Sequence, residues 1–353
     1  VTHLPKNTMG TFFLSCVYFA TYFVYRLELL FPNQKRHTAK MKLKEKALIV
    51  LLCVTAICVS WRGYRPCSLP QDKSPCACER CLSEDDLWFM KRFNKSVEPF
   101  LSANYNLSED VFNWWKRLQS EKGNFSTFRQ TVDRLFLTVP PSPDLLESSP
   151  DRCRTCAVVG NSVNLRRSHY GPLIDFHDVI IRVNTGRIEG YEADVGTRTT
   201  HRVMYPESSM DLDNTTHLVL APFKIVDFEW LTKALTTGFK GRSWFIKIGL
   251  KSNSDSQQVM VLNPAFMRYV HDLWLEKKGK YPSTGFLALI LALHMCDEVS
   301  VFGYGADSDG NWSHYWEKLN NKRLKTGPHP GDTEYRMIQE LDDLQELRFY
   351  TGF

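Results

Sequence analysis

The chain lacks a dominant charge, a glycine or proline bias, an internal repeat and the G-x-G-x-x-G turn of dinucleotide-binding folds. Each absence excludes something. With 19 Gly and 17 Pro in 353 residues, and 43% hydrophobic side chains, it is neither collagenous nor disordered, and it is too long for a small disulfide scaffold despite its 10 Cys. There is apolar area for one large core or two modest ones. Lys+Arg number 44 against 39 Asp+Glu, and residues 1–62 alone hold nine of the cations and only two of the acids. The remainder is slightly acidic, so no basic footprint for nucleic acid is left on a folded domain. Gly303-Tyr304-Gly305 has the wrong spacing for a pyrophosphate turn, which disfavours a nicotinamide dehydrogenase.

What the N-terminal part does have is two uncharged stretches, 7–25 and 47–61, on either side of a cationic block with Lys35, Arg36, Lys40, Lys42, Lys44 and Lys46. The second stretch is shorter than the ~20 residues a bilayer asks for, but a thin secretory membrane and snorkelling Lys and Arg make it usable. The positive-inside rule then puts the cationic block in the cytosol and everything after Trp61 in the lumen. Met41 opens MKLKEK in the manner of a native start. The expected organisation is an upstream extension over 1–40, a cytosolic tail over 41–46, a transmembrane signal-anchor over 47–61, a Pro-rich stem over 62–75 and a lumenal domain over 76–353. A cleaved signal peptide would share the charge and apolar pattern, but no A-x-A site follows. Five N-x-[ST] sequons, at Asn94, Asn106, Asn124, Asn214 and Asn311, all lie beyond the span and are candidate glycosylation sites. Seven Cys lie there too: Cys67, Cys76, Cys78, Cys81, Cys153, Cys156 and Cys296. An oxidising lumen favours disulfides over zinc for them, and the odd number leaves Cys67 free or paired between chains, so a homodimer is among the expected partners.

Amphipathic helices are expected over 87–102, 108–120 and 125–139, the last with Phe128, Val132, Leu135, Phe136 and Val139 on one stripe. A loop over 139–151 closes this part. Short apolar runs at 157–160, 179–183, 217–222, 243–249 and 299–303 then have the look of buried parallel strands. Between them stand helices over 264–278, with Asn263 as N-cap and Pro264 first, and over 283–296, with Ser283 as N-cap. FLALILAL in the second is too short to span a membrane and is expected against a sheet. In such α/β folds ligands sit at the carboxyl ends of strands beside helix N-termini, here the loops after 160, 183, 222, 249 and 303.

Several constellations in these loops could carry chemistry. In Gly160-Asn161-Ser162-Val163-Asn164 the side chains can bond a ribose, base or sugar hydroxyl while backbone N–H groups take an anion; a plain polar turn would look the same. Tyr281-Pro282-Ser283-Thr284-Gly285 opens a helix at its positive end and would seat one phosphate, although a simple capping motif has this form too. His314 and His329 lie in polar stretches without core periodicity, as general acid/base groups or neutralisers of a leaving phosphate do. Asp211-Leu212-Asp213 and Asp307-Ser308-Asp309 match the metal-holding D-x-D pattern, which is common by chance.

Taken together, these residues resemble a known family. Residues 156–201, 283–305, 314–317 and His329-x4-Glu334 are similar, in order, to the large, small, third and very small motifs of the eukaryotic sialyltransferases, and most of all to the β-galactoside α-2,3-sialyltransferases that cap Galβ1,3GalNAc. The resemblance implies an α/β, Rossmann-like GT-A-variant glycosyltransferase domain, its mostly parallel twisted sheet flanked by helices, behind an N-terminal anchor in the Golgi membrane. It implies transfer from CMP-N-acetylneuraminate to galactose-terminated O-glycans or glycolipids with no metal cofactor. His329 would be the base that takes the proton of the galactose 3-hydroxyl. His314 would bind the CMP phosphate together with Ser283, Thr284 and Gly285. Asn161, Ser162, Asn164, Asn184 and Gly305 would hold the rest of the donor, while Gln119 and Tyr281 would face the acceptor. Trp244 would join the substrate site, where close relatives carry Tyr. The implied disulfides are Cys76–Cys81, Cys78–Cys153 and Cys156–Cys296. CMP departs as a phosphate monoester, so charge stabilisation can replace the paired carboxylates of a glycoside hydrolase, and one base gives inversion. Two alternatives remain: a different galactoside acceptor such as Galβ1,4GlcNAc, or an anchored glycan-binding protein without turnover, against which the two His argue.

Overall fold

Runs of Val and Ile without polar alternation cannot face water on either side, and here they become the interior of a parallel sheet. The computed structural model describes residues 75–352 except 84, 105–106, 140–146, 238, 241–244, 247–258 and 319–325. These belong to one unit, Asp72–Phe353. In chain order the strands are β1 Thr155–Val159, β2 Val179–Val183, β3 His201–Met204, β4 His217–Leu220, β5 Phe239–Lys240, β6 Phe245–Ile246, β7 Val259–Val261, β8 Glu298–Phe302 and β9 Arg348–Tyr350. Seven of them form one sheet in the order β7-β4-β3-β2-β1-β8-β9, every neighbouring pair parallel. The register places Val158 of β1 beside Ile181 on one side and Val301 on the other. The expected core strand over 243–249 is a correction: β6 pairs antiparallel with β5 in a separate ribbon, because the position beside β4 is taken by β7.

The helices that position the site are α1 Glu109–Leu118, α2 Phe125–Phe136, α3 Ile225–Leu235, α4 Pro264–Tyr269, α5 Thr284–Met295 and α6 Gly331–Asp343. Ser108, Asn124, Asn263 and Ser283 cap α1, α2, α4 and α5 by accepting backbone N–H bonds, as short polar side chains at helix starts do. α5 is apolar on every face, with Phe286 through Leu293 fully buried, and it packs over β1, β2 and β8. Two helix expectations need correcting. Only Leu87–Met90 is helical within 87–102, because the rest is pinned at long range: Leu101 donates to the Val261 carbonyl at 2.8 Å and Asn263 to that of Pro99 at 2.9 Å. The helix expected over 264–278 leaves α geometry after Tyr269 and becomes a π turn over Val270–Trp274.

The sheet grows outward in both directions from β1, so the strand order reverses between β1 and β8. That switch point, opened by the C-terminal ends of β1, β2 and β8, is where α/β sheets leave a crevice. Among the described residues no helix is long and apolar enough to cross a membrane. The apolar stretches 7–25 and 47–61, the stem and Cys67 lie outside the described residues.

Candidate functional site

The crevice is lined first by the turn after β1. A Cβ on Gly160 would lie 2.3 Å from the Gly303 carbonyl, so only glycine lets the ends of β1 and β8 approach this closely. The Ser162 hydroxyl donates to the Gly305 carbonyl at 2.8 Å, and Asn164 Nδ2 donates to that of Ala306 at 2.9 Å. Ser162 also forms an antiparallel bridge with His314. These two side chains thus lace the loops together and fix where Gly305 and His314 stand. Asn161 donates through Nδ2 to the Val183 carbonyl at 3.2 Å, tying the first loop to the end of β2. The next residue along, Asn184, has φ 51, a left-handed conformation that Asn tolerates better than most residues.

The second wall is the start of α5. Ser283 accepts from the Phe286 N–H at 3.1 Å, while its own N–H and Oγ donate to the two oxygens of Glu334 at 2.7 and 2.6 Å. Burial pushes the Glu334 carboxyl up to about 7, against the downward pull of those two bonds. Glu334 lies in the first turn of α6, so the clamp ties α5 to the segment that carries His329. Behind the turn, Tyr304 donates to the Gly285 carbonyl at 2.8 Å, and desolvation pushes its phenol upward. The N–H groups of Thr284 and Gly285 stand at the positive end of α5, a ready anion seat.

The two histidines are held differently. His329 Nδ1 lies 3.2 Å from the Tyr281 carbonyl, which can only accept, so this nitrogen carries the proton and Nε2 keeps a bare lone pair. Burial lowers its pKa below the ordinary 6.5 against a weaker upward pull from that bond, so the ring is neutral near pH 7. The imidazole meets the Tyr281 ring edge-on at 4.9 Å, and the Tyr281 hydroxyl accepts from Gln119 Nε2 at 3.5 Å. His314, by contrast, has Glu317 Oε2 2.9 Å from Nδ1 and lies flat on Trp316, with centroids 4.6 Å apart. One ring is therefore backed by a carboxylate and the other by a neutral carbonyl.

The structure brings Asn161, Ser162, Asn164, Asn184, Ser283, Thr284, Gly285, Gly305 and His314 around the crevice, and joins Gln119, Tyr281 and His329 in one contact chain. Trp244 and the sequon Asn106 lie outside the described residues. Asn94, Asn124 and Asn214 are exposed. Asn311 differs from these: it is 4% exposed, and its Nδ2 donates 3.0 Å bonds to both oxygens of Asp307. Both D-x-D sequences are built into turns. Asp307 accepts from Asp309 and Asn311, Asp213 from Thr215 and Thr216. The disulfides join Cys76 to Cys81, Cys78 to Cys153 and Cys156 to Cys296. The sequence reading passed over the parts played by Arg202, Ser208 and Trp316. The one signal it carried was a lone Arg inside the apolar run RVM of β3.

A scan against family models matches residues 100–345 to glycosyltransferase family 29 (sialyltransferase). The chain is 45% identical over 286 residues to CMP-N-acetylneuraminate-beta-galactosamide-alpha-2,3-sialyltransferase 1 of Sus scrofa, covering 79% of this chain and 82% of that one. It is 43% identical over 284 residues to sialyltransferase 2 of the same description from Mus musculus, covering 78% and 80%. A crystal structure of a mammalian sialyltransferase superposes with a TM-score of 0.71 at 45% identity, over 79% of this chain and all of that one. A further crystal structure of a mammalian sialyltransferase, in complex with Gal-beta-1-3GalNAc-ortho-nitrophenol, matches with a TM-score of 0.69. The family match spans well over half of the chain, and the chain belongs to glycosyltransferase family 29, the sialyltransferases.

Proposed function

We propose that this chain transfers sialic acid from CMP-N-acetylneuraminate to the 3-hydroxyl of terminal galactose in Galβ1,3GalNAc on O-glycans. The names of its relatives and the acceptor held in one solved relative support the substrates. The observation that carries the chemistry is His329: Nδ1 spent on a carbonyl, Nε2 bare, burial keeping it neutral. In the reaction His329 Nε2 accepts the proton of the galactose 3-hydroxyl as that oxygen bonds to the anomeric carbon of sialic acid. The bond from this carbon to the phosphate oxygen breaks, and its electron pair leaves on CMP. His314 and the Thr284 and Gly285 N–H groups receive the charge that gathers on the departing phosphate. Attack opposite the leaving group inverts the anomeric centre.

The same proposal includes a type II Golgi location, with 47–61 as anchor, 62–75 as stem, 76–353 in the lumen and Cys67 available to pair two copies. The charge step at the cationic block supports the orientation. The test is an acceptor panel with linkage analysis on the purified chain, run with and without EDTA. α-2,3 product from Galβ1,3GalNAc at an undiminished rate in EDTA is expected; loss restored by Mn²⁺ would return the D-x-D carboxylates to the mechanism. The pH profile is a second check. Because the base must be neutral, kcat/KM should fall as pH drops through the His329 pKa, and that acid limb should lie below the ordinary 6.5.

A further inference from the structure

Two residues of β3 and the turn after it, Arg202 and Ser208, bear on the donor side of the crevice. Arg202 is 3% exposed, yet among the described residues no carboxylate lies within ion-pair distance of it, and its Nη1 donates to the carbonyl of Asn184 at 2.7 Å. A weaker bond of 3.4 Å reaches the Gly186 carbonyl. A buried cation needs compensation, and here the compensation is the backbone of one loop, which is thereby held in place. Ser208 does the rest: its Oγ accepts from the Tyr205 N–H at 3.3 Å and has two acceptors in reach for its one hydrogen, Asn184 Oδ1 at 2.8 Å and the Tyr205 carbonyl at 3.1 Å, of which the nearer is Asn184. The hydroxyl hydrogen fixes which way the Asn184 amide faces. Oδ1 is consumed, and the Nδ2 hydrogens have no acceptor among the described residues. Asn184 is therefore presented, in its left-handed conformation, purely as a donor.

We infer that Ser208 and Arg202 are positioning residues that set Asn184 as a hydrogen-bond donor to an anionic oxygen of the bound nucleotide-sugar, its phosphate or carboxylate. This rests on the sialyl-transfer reading and adds to it the part of the donor-binding loop that selects for an acceptor atom on the ligand. Without the Ser208 hydroxyl the amide is free to turn its carbonyl toward the ligand's negative oxygen, which repels it. Without the Arg202 clamp the carbonyl of the left-handed residue 184 loses its partner, and the loop is held only by the bond from the Asn184 N–H to the Val203 carbonyl and by Ser208.

The experiment is a double-mutant cycle on the full chain, with initial rates against CMP-N-acetylneuraminate at saturating acceptor. Ser208→Ala is expected to raise the donor KM about tenfold, leaving the acceptor KM and the melting temperature unchanged, and Ser208→Thr, which keeps a hydroxyl, to restore most of it. In an Asn184→Ala background the same Ser208→Ala change should have no further effect, because its only route to the donor is gone. Additive effects in the cycle would overturn the inference, as would an unchanged donor KM in Ser208→Ala or a rise shared with the acceptor KM and accompanied by a lower melting temperature. A parent chain with no transfer at all would remove the sialyl-transfer reading itself, an outcome distinct from each of these.

Discussion

His329→Ala is expected to lower kcat about 10³-fold while leaving the Kd for CMP within about twofold of the parent, since general-base assistance is worth roughly 10²–10⁴ and this ring is not needed to hold the nucleotide. Glu334 is near at hand, but both its oxygens accept from Ser283. His314 is occupied with Glu317 and stacked on Trp316. Among the described groups at the crevice, only His329 combines a bare ring nitrogen, a depressed pKa and contact with Tyr281, the residue proposed to face the acceptor. His329→Asn sharpens the test: its amide can still donate to the Tyr281 carbonyl, so it preserves the positional role while removing the basic nitrogen. Both variants should lose turnover alike. If His329→Asn kept more than about a tenth of the parent kcat, the ring would be a spacer and the base assignment would be wrong.

How far this was legible depended on whether each residue's reason for being where it is lies nearby in the chain. β2 coincides with the expected run at 179–183, because four Val and Ile in five positions between turns have one stable use in an α/β protein, even with Arg182 among them. α5 was legible for a similar reason, its cap and its all-round apolar surface being adjacent in sequence. β3 was not. His201 and Arg202 argue against a buried strand, and what makes them tolerable is Thr200 Oγ1, 2.9 Å from His201 Nδ1, and the carbonyl of Asn184, 18 residues away. The segment 87–102 failed in the opposite sense. Phe89, Phe93, Phe100 and Leu101 are all buried, so the apolar pattern was genuine, but Pro99 and backbone bonds to Val261 and Asn263 make it an irregular crossing of the sheet edge. At the site, the motif residues and their implied roles could be picked out by resemblance, whereas the contacts that hold them in place could not. Ser162 and Asn164 lace loops across more than 140 positions, and the Glu334–Ser283 clamp spans 51.

Removing the Cys156–Cys296 bridge is expected to cost far more stability than removing Cys76–Cys81, although both are single covalent links. The first joins the second residue of β1 to the C-cap of α5 and closes 140 residues; the second closes 5. Loop-closure entropy withheld from the unfolded chain then amounts to about 5 kcal/mol for the long loop and about 2 kcal/mol for the short one. In a domain of this size each kcal/mol moves the melting temperature by roughly 2–4 °C, so Cys156→Ala/Cys296→Ala should melt about 10–20 °C lower and Cys76→Ala/Cys81→Ala roughly 4–8 °C lower. Alanine is the right replacement, since Cys156 is 0% and Cys296 5% exposed and a serine hydroxyl would add a buried polar group. The functional consequence follows from where the link lies. It fixes the far end of α5 to the start of β1, whereas the site is built on the near end of α5 and the far end of β1. At a temperature where both variants are folded, donor and acceptor KM should therefore match the parent, and the loss should appear only in thermal scans. Equal melting temperatures for the two double variants would show that the bridge does not act through the unfolded chain.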